Sequence, residues 1–145
     1  MQKAPMYGIT RLMKKIDYKA IEKYWIDSSD DAMDTARRLK RGKKYVHAMF
    51  FVHLAIEKLL KGVYVNHNKE EAPIGHNLQN LAGKISDLDM DLAQKSIIAQ
   101  ITTFNIAARY DDYKQSFYKS CDEKFAKEFM KKGKEIIAWL KSRLA

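Results

Sequence analysis

Apolar residues return at helical intervals along most of the chain, and they predict helices rather than strands. From Lys19 to Arg41, the positions Ile21, Trp25, Ser28, Ala32, Ala36 and Leu39 mark one side of a helix while charges fill the others. Gly42 is its stop signal, with Arg41 in the preceding turn. A second helix is predicted from about Lys44 to Asn66. Tyr45, Met49, Val52, Ile56, Leu59 and Val63 form its stripe, and Phe50, Phe51, Leu54, Ala55 and Leu60 add apolar surface elsewhere. A helix this apolar belongs at the centre of a bundle, and the short turn at Gly42 makes the first two helices antiparallel. Pro73 and Gly75 mark a loop from Asn66 to Asn77. A shorter helix with Leu78, Leu81, Ala82 and Ile85 on one face follows, capped by Asn77. A fourth runs from about Met90 to Tyr110 on Ile97, Ile101, Phe104 and Ala108. Tyr110 to Lys119 has no clear period. Ser120 and Glu123 form a capping-box pattern for a last helix that buries Phe125, Phe129, Ile136, Leu140 and Leu144. The expected fold is all-α: an antiparallel four- to five-helix up-and-down bundle over residues 19–145. An N-terminal arm, residues 1–18, precedes it, with a short helical turn around Arg11 to Ile16.

Composition narrows the classes. With 145 residues, 46% hydrophobic and 31% charged, the chain reads as one ordinary globular domain. Its single cysteine, Cys121, excludes an internal disulfide and a zinc cluster, and suits a reducing, cytoplasmic setting. Pro5, Gly8, Arg11, Lys14 and Lys15 break the apolar run a secretory signal needs. No run of about 18 apolar residues is present to span a membrane. The net charge of +9 favours polyanionic partners such as nucleic acid or an acidic protein, although a solvated basic surface carries the same charge.

Several groups of residues could carry chemistry. His53, Glu57 and Lys61 share one face of the most apolar helix, with Lys58 beside them. Ionisable groups there call for a partner or a use; a solvated edge with Glu57–Lys61 pairing is the plain alternative. Gly75-His76-Asn77-Leu78 sets a histidine directly before a helix start, where backbone N–H groups favour an anion. The competing reading is a loop histidine beside an N-cap. Arg109, at a helix C-terminus, is favoured by the dipole; beside Tyr110 and Tyr113 it also suits a phosphate clamp with base stacking. In the run 37–44, six of eight residues are basic: Arg37, Arg38, Lys40, Arg41, Lys43 and Lys44. They suit a phosphate backbone or a solvated turn. Asp27, Asp30, Asp31 and Asp34 share a helix face, but metal ligands must converge from several elements, and Arg37 and Arg38 are within reach of Asp34. No metal site and no cofactor is expected. His47 and His53 are spaced too far round the helix for H-E-x-x-H, and there is no Gly-rich phosphate loop. Cys121, followed by Asp122 and Glu123, reads as unreactive.

Three of these segments, in order, resemble the HEPN (higher eukaryotes and prokaryotes nucleotide-binding) domain family. The run Tyr45 to Gly62 (YVHAMFFVHLAIEKLLKG) resembles its second helix. Gly75-His76-Asn77-Leu78 to Leu81 resembles its H-x-L-x-x-L element, and Ala108-Arg109-Tyr110 resembles A-R-Y. The resemblance covers roughly residues 20 to 144. It implies an antiparallel helical bundle, a homodimer, and a role near nucleotides or RNA. Often the partner is a separate minimal nucleotidyltransferase, in several cases as toxin and antitoxin. By the resemblance Glu57, Lys58 and Lys61 belong to the family's central helix, and His76 and Arg109 to its later polar elements. Nuclease members carry R-x4-6-H. Here Arg109 supplies the arginine, but no histidine follows it; Lys114 stands where one could have been. A protonated lysine is a poor base. The leading reading is therefore a ligand site of Glu57, Lys58, Lys61, His76, Arg109, Tyr110 and Tyr113 for a nucleotide or RNA phosphate, with Arg109 on the phosphate, Tyr110 or Tyr113 stacked on a base, and His76, Glu57 and Lys61 completing the polar site. The alternatives are a metal-independent ribonuclease relying on Arg109 and His76, and a protein-interaction module without a ligand.

Overall fold

A computed structural model describes residues 16–110, 112 and 115–145; Tyr113, Lys114 and most of the N-terminal arm, with the turn expected around Arg11, lie outside the described residues. Six helices and no strand are found among them. Four are long: α1 (Tyr18–Arg41), α2 (Tyr45–Asn68), α4 (Leu92–Arg109) and α6 (Glu123–Ser142). Two are short: α3 (Leu78–Gly83) and α5 (Ser116–Ser120). The all-α bundle expected from periodicity is the observed architecture.

Helices α1, α3, α4 and α6 begin where a side chain accepts first-turn N–H groups that the helix itself cannot satisfy. Asp17 accepts from Lys19 and Ala20. Asp91 and Gln94 form a reciprocal capping box at α4. Asn77 accepts from Asn80 at 2.9 Å, as the sequence predicts. At α6 the cap is Asp122, which accepts from Phe125 at 2.9 Å. Ser120, read as the cap, instead donates its hydroxyl to the Phe117 carbonyl and closes α5. α2 starts without a side-chain cap, directly after a turn in which Lys43 takes a positive φ of 61°.

α2 is the central element and packs against α1, α3, α4 and α6. Met49, Val52, Ala55, Ile56, Leu59, Leu60 and Val63 are fully enclosed. The α1 seam is small (Ser29, Ala32, Ala36), and the helices approach closely enough for Ser29 Oγ to donate to the Ala55 carbonyl at 2.6 Å. That bond places Ser29, rather than the expected Ser28, in the interface. Gly133 of α6 abuts Val52 of α2; a Cβ there would lie 2.8 Å from Val52 Cγ1. α2 also runs further than predicted, through Asn68. Its polar last turn bonds other segments instead of starting a loop: Asn66 takes the Ala145 N–H, and Asn68 pairs with Ser86 N and the Lys84 carbonyl. His67 faces two backbone carbonyls, Nδ1 2.6 Å from that of Ser86 and Nε2 2.7 Å from that of Arg143.

The segment 110–119, for which no period was legible, contains most of α5. Phe117 brings it onto an aromatic cluster with Phe104, Phe125 and Phe129 (centroid separations 4.8–6.0 Å). No helix among the described residues is long and apolar enough to cross a membrane.

Candidate functional site

The polar face of α2 is buried. His53, Glu57 and Lys61 are 1%, 4% and 8% exposed, which overturns the solvated-edge alternative. Groups of this kind stay buried only when hydrogen-bonded or paired, and the fold supplies the partners. Lys61 Nζ donates to Glu57 Oε2 at 3.1 Å. His76, carried in by the loop ahead of α3, places Nδ1 3.1 Å from both carboxylate oxygens of Glu57. Facing a carboxylate, that nitrogen is the donor. His53 in turn places Nε2 2.9 Å from the His76 backbone carbonyl, which can only accept. One histidine thus holds the loop by its backbone while one glutamate holds the loop's imidazole. Gly75, at φ 144°, permits the sharp approach. The Leu78 N–H donates to Thr102 Oγ1 at 3.1 Å, tying the same turn to α4.

With Nε2 committed as donor, Nδ1 of a neutral His53 keeps its lone pair. It is buried, without a hydrogen-bond partner among the described residues, and 3.9 Å from Glu57 Oε1. Burial holds the His53 pKa below the ordinary histidine value. The bond to His76 and the Glu57 carboxylate oppose this; the charges of His76 and Arg109 add to it. Arg109 supplies the smallest of these influences. Its guanidinium lies over the Phe50 ring at 5.4 Å, and Phe50 is one turn from His53 on the same flank of α2.

Two groups, His76 of this centre and Arg109 beside Phe50, are exposed. The His76 side chain is 58% exposed with Nδ1 committed to Glu57, so Nε2 is the nitrogen left to meet a ligand. Arg109 is exposed and makes no ion pair among the described residues. Tyr110, next to it, is 74% exposed; Tyr113 lies outside the described residues. Lys58 is placed elsewhere: its amine rests 5.6 Å from the Trp25 ring of α1, and Lys61 shares that ring at 5.2 Å. Glu57, Lys61 and His76 are thus brought to one centre, with Lys58 at its α1 side; Arg109 meets α2 at Phe50, two helical turns before Glu57.

The basic run divides. Arg38 pairs with Asp34 at 3.1 Å. Arg37, Lys40 and Arg41 line a cleft against α6. Lys43 and Lys44 are exposed in the α1–α2 turn. On the acidic face of α1, Asp27 pairs with Lys23 and Asp30 with Lys141. No group of three or more metal-ligating side chains occurs among the described residues. Cys121 is buried, its thiol pushed up to about 11 by burial and then by Asp122. Sequence reasoning did not single out Phe50 or Thr102 for this centre. Each joins it through a contact between distant segments, for which no local pattern exists.

The family model for the HEPN domain matches residues 22–143. Among solved structures, the crystal structure of TT1696 from Thermus thermophilus superposes with a TM-score of 0.74 at 16% identity, covering 85% of this chain and 98% of that one. The crystal structure of ST0689, an archaeal HEPN homologue, gives a TM-score of 0.69 at 23% identity, covering 86% and 98%. At these identities the likeness to both is one of fold. No curated protein matches.

Proposed function

The chain belongs to the HEPN domain family, and from that premise we propose that it binds a phosphate of a nucleotide or of RNA between His76 and Arg109. The observation that carries this reading is a buried polar cluster that fixes an exposed histidine with one ring nitrogen open, while Arg109 stands exposed without an ion pair among the described residues. Glu57 orients His76 from below, and Lys61 neutralises the carboxylate. Arg109 supplies a planar fork suited to phosphate oxygens, and Tyr110 offers a ring for base stacking. Calorimetric titration with ATP, AMP and a short RNA tests it. Arg109→Ala is expected to weaken ATP and AMP binding roughly tenfold to a hundredfold, the worth of about 1.5–3 kcal/mol for charge-assisted bonds. Absence of heat with all three ligands defeats the reading.

A second reading is favoured by the Glu57–His76 pair. A carboxylate that orients an imidazole through one nitrogen and leaves the other free is the arrangement of a general base. It would supply the base that does not follow Arg109 in sequence, giving a metal-independent ribonuclease. Cleavage of labelled RNA in EDTA, lost in both Arg109→Ala and His76→Ala, supports it; intact RNA across acid to alkaline pH dismisses it. A minimal nucleotidyltransferase is the proposed partner. Ile106 and Tyr110, 61% and 74% exposed beside Arg109, support a homodimer across the end of α4. Co-purification and sedimentation test the two associations.

A further inference from the structure

We propose that the cleft between the C-terminal part of α1 and the first half of α6 binds the phosphodiester backbone of a nucleic acid, independently of the His76–Arg109 centre. The cleft has a volume of about 430 Å³. Arg37, Lys40 and Arg41 line it from α1, and Lys127, Lys131 and Lys134 from α6. The spacings, i, i+3, i+4 on one helix and i, i+4, i+7 on the other, put each trio on a single helix face. Two cationic stripes from distant parts of the chain therefore look at each other across a concavity. Only the α1 half lies in the basic run of the sequence; the α6 half is dispersed among acidic and apolar residues.

None of the six makes an ion pair among the described residues. The same two helices do pair their cations elsewhere: Lys23 with Asp27, Arg38 with Asp34, Lys132 with Glu128 and Lys141 with Asp30. The cleft holds one carboxylate, Glu135, against six positive charges. Clustered like charge opposes folding, and a concave wall focuses its field outward, so an anionic polymer relieves the repulsion and is attracted by it. The lining contains no aromatic residue and one apolar one, Met130. That excludes base stacking and leaves a peptide without the anchor pockets that give protein interfaces their affinity. It matches a uniformly charged phosphate backbone, whose contacts position the strand without reading its bases.

The test is fluorescence anisotropy of labelled single-stranded RNAs, one mixed in sequence and one homopolymer, over a salt series. The exposed lysines are replaced together in the variant Lys127→Gln/Lys131→Gln/Lys134→Gln. Both RNAs are expected to bind wild type alike, and the variant to lose at least about tenfold in affinity with a salt slope shallower by roughly two. A variant with equal charge loss elsewhere, Lys19→Gln/Lys84→Gln/Lys95→Gln, is expected to keep the wild-type slope. Circular dichroism checks the fold, and Arg37→Gln/Lys40→Gln repeats the test from α1 if the α6 variant does not fold. An unchanged slope in the cleft variants, an equal loss in the control, or polyglutamate binding as tightly as RNA overturns the proposal. Arg109→Ala is expected to keep this salt-dependent RNA binding while losing nucleotide binding. Failure of one site is thereby told from failure of the other.

Discussion

His53 is the residue at which burial and chemistry meet most directly. Its pKa is held below the ordinary value mainly by burial, against the pull of the Glu57 carboxylate. The unfolded chain therefore binds a proton at higher pH than the folded one does. Stability contributed here is fully present above about 6.5 and is lost as pH falls from there toward the folded-state value, below which the loss stops. His53→Gln keeps a donor at the ε position for the His76 carbonyl but cannot titrate. Urea denaturation at several pH values is expected to show a smaller decline for this variant than for wild type; parallel profiles would contradict it. Part of this was legible in the sequence, because ionisable residues at helical spacing stand out on an otherwise apolar helix. Asn77 as a cap was legible for the same local reason. The Nε2–carbonyl bond was not: it joins residues 23 apart, and only the folded path of the loop brings them together.

Among the elements, the α2–α6 contact leaves the least room at a glycine. Gly133 has no room for a methyl, since its Cβ would stand 2.8 Å from Val52 Cγ1. Gly133→Ala should destabilise the protein by about 1–3 kcal/mol despite its gain in helix propensity. Adding Val52→Ala should make the pair less damaging than the sum of the two single changes, read as a coupling energy in a double-mutant cycle. Strict additivity would show that the two do not touch. Helices α1, α2, α4 and α6 were predictable because each writes its buried face into the sequence at its own period. α5 was not, because Phe117 is held by rings from α4 and α6, and no pattern within five residues encodes that. The start of α6 was misplaced by the pairing of Ser120 with Glu123, where the stronger acceptor Asp122 takes the cap.

Across the whole molecule, the last turn of α2 works as a junction. Asn66, His67 and Asn68 bind Glu22 of α1, the segment after α3, and the end of the chain at Arg143 and Ala145. Few of these bonds are buried, so they govern local opening more than global unfolding. His67→Ala is expected to speed amide exchange at residues 84–86 and 140–145 roughly tenfold, about the loss of one or two net hydrogen bonds, with the middle of α2 unaffected; uniform protection throughout would refute this. α2 itself is both the keystone of the packing and the bearer of His53, Glu57 and Lys61, whereas His76 and Arg109 are lent by a loop and by the tail of α4. A genetic screen that recovers only well-expressed, inactive protein is therefore expected to under-represent the three helical residues, whose loss of a buried partner costs stability, relative to the two lent ones. Silence at the keystone in such a screen would reflect fragility rather than irrelevance.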